Sequence, residues 1–361
     1  MATNPRIYYP INAIGFAPIG TPLNVPSGYR AAKGVQSAGI TTTFSLEQVY
    51  QLGQLELYEN IENLPVVEIT VEKVIDGYSM IQHLATPRAI ASSLAGRFND
   101  NQCMVVLAHY PITNEAASGN PLSYMQLSGV FVSAINFSIP VEGNSTESVT
   151  LTCRDKVWGY APSGSPWLAA SIGTSAPSGR SSSGPFTGSE SPVLASGGVS
   201  RRENVLMGSG AGLSRWPTDI PGIDLSGYNA SGAGGYAAHI QSVNISTSLG
   251  RTDLLELGRR GPYFRYATFP TEVTCSIETT ATELGDYVDA RQDAENLSDE
   301  VIFIAFSQGL TIDLGNKNKL QSVSYDGGST GGENRTATYN YSNFNSLKVL
   351  FPSTDPAALT S

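Results

Sequence analysis

The strongest constraint on the fold is that one pattern occurs twice. "LGQLELYENIENLP" (52–65) and "LGRRGPYFRYATFP" (257–270) each open on Leu-Gly and reach Pro after eleven intervening residues. Each then runs into strict alternation, "VVEITVEKV" after the first and "TEVTCSIET" after the second. Val67, Ile69 and Val71 share one strand face and Glu68, Thr70 and Glu72 the other. In the second copy Val273, Cys275 and Ile277 oppose Glu272, Thr274 and Ser276. Period-two alternation specifies half-exposed β-strands. Further on, "VSAINFSIPVEGNSTESVTLTCRDKVW" (132–158) is echoed by "LQSVSYDGGSTGGENRTATYNYSNFN" (320–345), each a strand, a Gly-containing turn and a second alternating strand. Blocks recurring in the same order point to a duplicated unit.

Around this repeat the chain divides into four parts. Residues 1–40, rich in Pro and Gly, read as an extended N-terminal arm with short strands at most. Residues 41–158 form the first unit and 238–361 the second. Ser45 followed by Gln48 has capping-box form, Leu46, Val49 and Leu52 follow at helical spacing, and Gly53 stops the run, so a helix over 46–52 is expected. "TDLLELG", ending at Gly258, reads as its counterpart, and 88–98 as a further short helix. "CMVVLAHYPI" and "VIFIAF" read as buried strands. Residues 159–237 are rich in Gly, Ser and Pro and are expected to pack on neighbouring subunits through aromatic anchors such as Trp167 and Trp216.

Composition narrows the function. The formal net charge is −10, with no basic stripe of the kind that binds nucleic acid. The start lacks the charged and apolar segments of a secretory signal, and no apolar stretch reaches the ~18 residues of a membrane helix. Neither export nor membrane insertion is expected. Cys103, Cys153 and Cys275 fit neither a zinc spacing nor a disulfide framework and read as buried thiols.

Catalytic signals are sparse. His83, His109 and His239 have no metal-ligand spacing; a Cys103–His109 pair is the one nucleophile–base combination to consider. "GSGAGLSR" (208–215) lacks the phosphate-loop lysine, "DGGSTGGEN" departs from calcium-loop spacing, and "DAENLSDE" (293–300) reads as a solvated acidic run. No enzyme activity, metal or cofactor is expected. Tyr8, Tyr9, Tyr58, Tyr78, Tyr263, Phe264 and Tyr266 allow a sugar-binding reading, although aromatics in β-rich chains more commonly pack across strands.

Residues 45–77, 239–278 and 318–345 resemble the tail tube, or major tail, proteins of tailed bacteriophages. The resemblance implies a mainly β fold of two tandem tube-like domains, each two packed antiparallel sheets with a short flanking helix. It implies stacked rings around a DNA channel, usually hexameric; with two units per chain, the expectation becomes a trimeric, pseudo-hexameric ring. Phage DNA would pass without specific binding, and other tail proteins would meet the tube ends. Glu68, Thr70, Glu72, Glu272, Thr274 and Ser276 line either that channel or an outer solvent face. Tyr8, Tyr9, Trp167 and Trp216 are the candidate assembly contacts. A baseplate, neck or capsid-decorating protein, and a carbohydrate-binding adhesin module, are the alternatives.

Overall fold

A computed structural model describes residues 12–21, 29–76, 80–85, 91–93, 102–111, 121–153, 155–160, 199–208, 213–214, 220–221, 239–259, 262–280, 299–306, 310–326 and 335–350. The fold is mainly β, with antiparallel pairing throughout the described strands. The first unit contains β1 (Asn12–Pro18), β2 (Arg30–Ala31), β3 (Val35–Thr43), the hairpin β4 (Leu46–Tyr50) and β5 (Leu57–Glu62), and β6 (Val66–Val74). It continues with α1 (Ile81–Ala85), β7 (Ala91–Ser93), β8 (Cys103–His109), the long β9 (Ser123–Pro140), β10 (Thr146–Cys153) and β11 (Asp155–Tyr160).

The second unit repeats nearly all of this. It has β12 (Val205–Gly208), β13 (Leu213–Ser214), β14 (Ile240–Ser248), the hairpin β15 (Arg251–Leu254) and β16 (Phe264–Ala267), and β17 (Glu272–Thr280). Then come β18 (Phe303–Phe306), β19 (Thr311–Asp313), β20 (Lys319–Tyr325), β21 (Thr336–Phe344) and β22 (Lys348–Leu350).

The pairing order is the same in both. An inner set runs β3-β6-β10-β9 in the first unit and β14-β17-β21-β20 in the second. An outer set runs β2-β1-β8-β9-β11 in the first and β13-β12-β18-β19-β22 in the second. The inner sets join edge to edge where β9 pairs with β14, from Ser242↔Pro140 to Ser248↔Ala134. Local detail repeats as well. Both leading strands start after a positive φ, at Gly34 (74°) and His239 (45°), and both carry a register shift at once, between Val35 and Ser37 and between Ile240 and Ser242.

The apolar face of the joined inner strands packs on the outer strands and α1. Val67, Ile69, Phe137, Val149, Ile245, Ile277 and Tyr341 share one buried cluster with Phe16, Ile81, Val105, Ile304 and Ile312. The chain is therefore a two-layered sandwich whose period-two patterning faces the core as the alternation predicts. The cysteines are buried and unpaired.

Several elements differ from the sequence expectation. Residues 46–52 are not helical: β4 pairs with β5, and Gly53, at φ 91°, turns the hairpin. Arg251–Leu254 is likewise a strand paired with β16, and Ala91–Ser93 is a strand within the span read as a helix over 88–98. The α-helix among the described residues lies instead at Ile81–Ala85, where the buried Glu147 carboxylate accepts the Ile81 and Gln82 amides at 2.7 and 3.1 Å. The supposed N-terminal arm contributes β1, buried along most of its length against β8, and most of β3. The second unit reaches back to Val205, since β12 pairs with β18.

Candidate functional site: a polar sheet face and two apolar hairpins

The inner sheet turns its second face to solvent, and register defines its chemistry. One row of neighbours runs Ser37, Glu72, Ser148, Asn136, Ser246, Thr274, Ser342 and Lys319. The next runs Thr146, Ser138, Asn244, Ser276, Asn340 and Ser322. Short hydroxyls and amides thus continue across the seam between the units. Several satisfy one another: Thr70 and Thr150 hydroxyls meet at 3.4 Å, Ser246 and Thr274 at 2.7 Å, and Asn340 donates to Ser322 Oγ at 3.1 Å.

All six residues proposed from sequence lie on this face: Glu68, Thr70 and Glu72 on β6, and Glu272, Thr274 and Ser276 on β17. Their correspondence shifts, however. Glu72 pairs with Ser37 and Glu278 with Ser242, both just after the register shift. Ser37 donates to Glu72 Oε2 at 3.3 Å and Ser242 to Glu278 Oε2 at 2.9 Å. Glu278 is therefore the counterpart of Glu72 in the second unit, and sequence reasoning missed it. Matching the first polar residue of each strand, Glu68 with Glu272, falls two residues short of the alignment that the register shifts define. Among the described residues, the charges on this face are Glu68, Glu72, Glu272, Glu278 and Lys319.

Both ends of the inner sheet are open. Among the described residues, β3 pairs only with β6 and β20 only with β21. An open strand edge is a template for another chain.

The tips of both hairpins project into solvent. Leu52 (101%) and Leu55 (103%) are fully exposed at the first tip, as Leu257 (104%) is at the second, with Leu255 beside it. Tyr58, Phe264 and Tyr266 lie on the hairpin strands, and Tyr263 adjoins β16, so the aromatics considered for sugar binding divide between two separate hairpins. Tyr8, Tyr9, Tyr78, Trp167 and Trp216 fall outside the described residues.

The candidate catalytic pair separates. Cys103 and His109 sit at opposite ends of β8, roughly 20 Å apart at the rise of a strand. Burial, with Cys153 nearby, raises the Cys103 pKa far above the thiol range. His109 Nδ1 meets Asn12 Oδ1 at 2.7 Å, its ring stacks on Trp158, and burial lowers its pKa. His83 is buried in α1, its pKa pushed down to about 4 by burial and by the charge of Arg30. Among the described residues no cluster of three His, Cys, Asp or Glu side chains is placed to hold a metal.

No family model matches the chain, and no curated protein matches it. Among solved structures it is similar to a chain of the cryo-EM structure of the anti-feeding prophage baseplate, symmetrised sixfold. The identity is 12% and the TM-score 0.31, over 44% of this chain and 98% of that one.

Proposed function

We propose that this protein is a structural subunit of a tailed-phage virion, closing into rings that stack as a tail tube. The observation that carries this reading is the inner sheet: polar on one face, apolar on the other and, among the described residues, open at both β3 and β20. Pairing β20 of one copy with β3 of the next repeats the kind of antiparallel junction that β9 and β14 make within the chain.

Ring size follows from strand spacing. Three copies supply 24 inner strands, roughly 115 Å around and about 37 Å across at the backbone. That opening takes a DNA duplex with clearance. Six copies would double it and leave the duplex uncontained.

The lumen is then the Ser/Thr/Asn face. Its carboxylates repel phosphate, and short side chains offer no guanidinium fork to hold it. Repulsion without specific contacts suits a conduit through which DNA slides. The chain acts as scaffold, with no catalytic step or cofactor. Rings stack through the hairpin tips, where each leucine sealed from water contributes about 1.5–3 kcal/mol.

Light scattering with ring averages from electron micrographs tests the reading. Trimeric rings with threefold symmetry, stacking into hollow tubes, are expected. A six-chain ring refutes the stoichiometry, and a protein that stays monomeric at high concentration refutes the function. The double variant L52K/L55K should keep its rings and lose its tubes; tubes of normal length would remove the hairpins from stacking.

A further inference from the structure

The outer sheets differ in one strand. In the second unit β22 is not an edge, because β7 pairs along it: Lys348↔Ser93, Val349↔Ser92, Leu350↔Ala91. β7 belongs to the first unit, from the chain between β6 and β8. The first unit thus hands a strand to the second.

The counterpart of β22 is β11. Both follow the last inner strand of their unit, and both pair with the fourth strand of the outer set, β22 with β19 and β11 with β9. Even the residues agree: "KVW" at 156–158 aligns with "KVL" at 348–350, Lys156 facing Leu127 where Lys348 faces Asp313. From these partners the positive-φ glycines Gly129 and Gly315 each lie two residues on. Among the described residues, however, nothing pairs with the outer edge of β11. Val157, Trp158 and Tyr160 are 49%, 57% and 86% exposed there.

We propose that the outer edge of β11 is an interface between copies of this chain. It accepts a strand from a second copy, supplied by the chain between β17 and β18, the topological counterpart of the stretch that carries β7. The argument is one of equivalence. The first unit has a following unit in its own chain to receive its strand. By the same rule, the strand of the second unit goes to the first unit of another copy, where the equivalent edge of β11 stands unpaired among the described residues. Such a contact is head to tail, one patch donating and a different patch accepting, and closes into a ring. Backbone pairing gives affinity, and the exposed apolar side chains of β11 gain a cover. The inference rests on the ring reading, and sharpens it by adding a second joint, in the outer layer, to the β20–β3 joint of the inner one.

A photo-crosslinking benzoylphenylalanine in place of Tyr160 tests it in the assembled full-length protein. Interchain adducts mapping to residues 281–299 are expected. Adducts that are intrachain, or that map elsewhere, overturn the proposal while leaving the ring reading intact, provided the assembly itself forms. If the unmodified protein does not assemble, both fall. Two proline variants, V157P and W158P, give a second readout. Alternate amides of an edge strand point outward, so one of the two keeps the monomer fold by circular dichroism. That variant should self-associate at least tenfold more weakly; association equal to the unmodified chain overturns the proposal.

Discussion

The two units share a topology and differ in what they bury at one matched position. In the first, Lys73 on β6 stands opposite Glu147 on β10. In the second, the same crossing pairs Thr279 on β17 with Ala337 on β21. Lys73 and Glu147 are both fully buried. Lys73 Nζ donates to the Lys33 carbonyl and to Asp76 Oδ1, each at 2.6 Å, while Glu147 caps α1. Gly34 makes room for this: with φ at 74°, its Cβ would fall 2.5 Å from Asp76 Oδ2. The second unit closes the same crossing more simply, Thr279 Oγ1 donating to the Ala337 carbonyl at 3.3 Å. The fold does not require ions there. The first unit uses them to hold a helix and the turn that leads into β3.

The largest effect should come from breaking that pair on one side only. K73T leaves Glu147 and Asp76 without their cation and should cost about 3–5 kcal/mol, measured by chemical denaturation near pH 8. The double variant K73T/E147A installs the second unit's residues and should recover part of that loss. A double variant as damaging as the sum of the two single ones would show that the units are not interchangeable at this position.

A second contrast lies in the hairpins. The β15–β16 hairpin is tied down: Arg251 donates to the Val132 carbonyl, Arg265 pairs with Asp253 at 2.5 Å, and both guanidinia lie on the Phe131 ring. No ion pair fixes the β4–β5 hairpin among its described residues, and its tie at the base is the Asn63 amide on the Ser45 carbonyl at 2.9 Å. R265A should therefore lower stability by about 2–4 kcal/mol in a thermal melt. Y58A on the free hairpin should stay within about 0.5 kcal/mol. Equal losses would erase the distinction.

A third contrast is a pH dependence carried by Glu147 of the first unit. The Glu147 pKa is pushed up to about 7, burial outweighing the two amides and the Lys73 charge that favour its ionised form. A carboxyl with a folded pKa above its ordinary value of 4.5 binds a proton more tightly in the native state. Its contribution to stability is full below pH 4.5 and declines as pH rises through 7. The slope between those values amounts to roughly 3 kcal/mol. E147Q should flatten it, leaving the titration of the other carboxylates; an unchanged slope would place the titrating group elsewhere.

Much of the inner sheet was legible because alternation is a local signal. Val67, Ile69 and Val71 face the core as read, and so do Val273, Cys275 and Ile277. The hairpins were illegible for a physical reason. Leu46, Val49 and Leu52 fall at helical spacing but line no core; on the hairpin Leu46 and Leu52 are exposed and Val49 is only half-buried, so their period reports nothing about folding within one chain. The supposed arm misled differently. "NAIGFAP" has too many small residues to show a strand period, and its partner β8 begins 85 residues after β1 ends, at Cys103 against Pro18. Glu278 escapes a reading that matches the first polar residue of each strand, Glu68 with Glu272, because the register shifts set the true alignment two residues further on.

The β9–β14 seam has a consequence for dilution. Its seven register pairs, Ser242 to Ser248, lie within one chain. Units joined by a covalent connection meet at an effective concentration that no buffer change can lower. Any joint between chains answers instead to mass action. As protein is diluted, an assembly of this chain comes apart between copies and never between its two units, so its smallest piece in solution is always a pair.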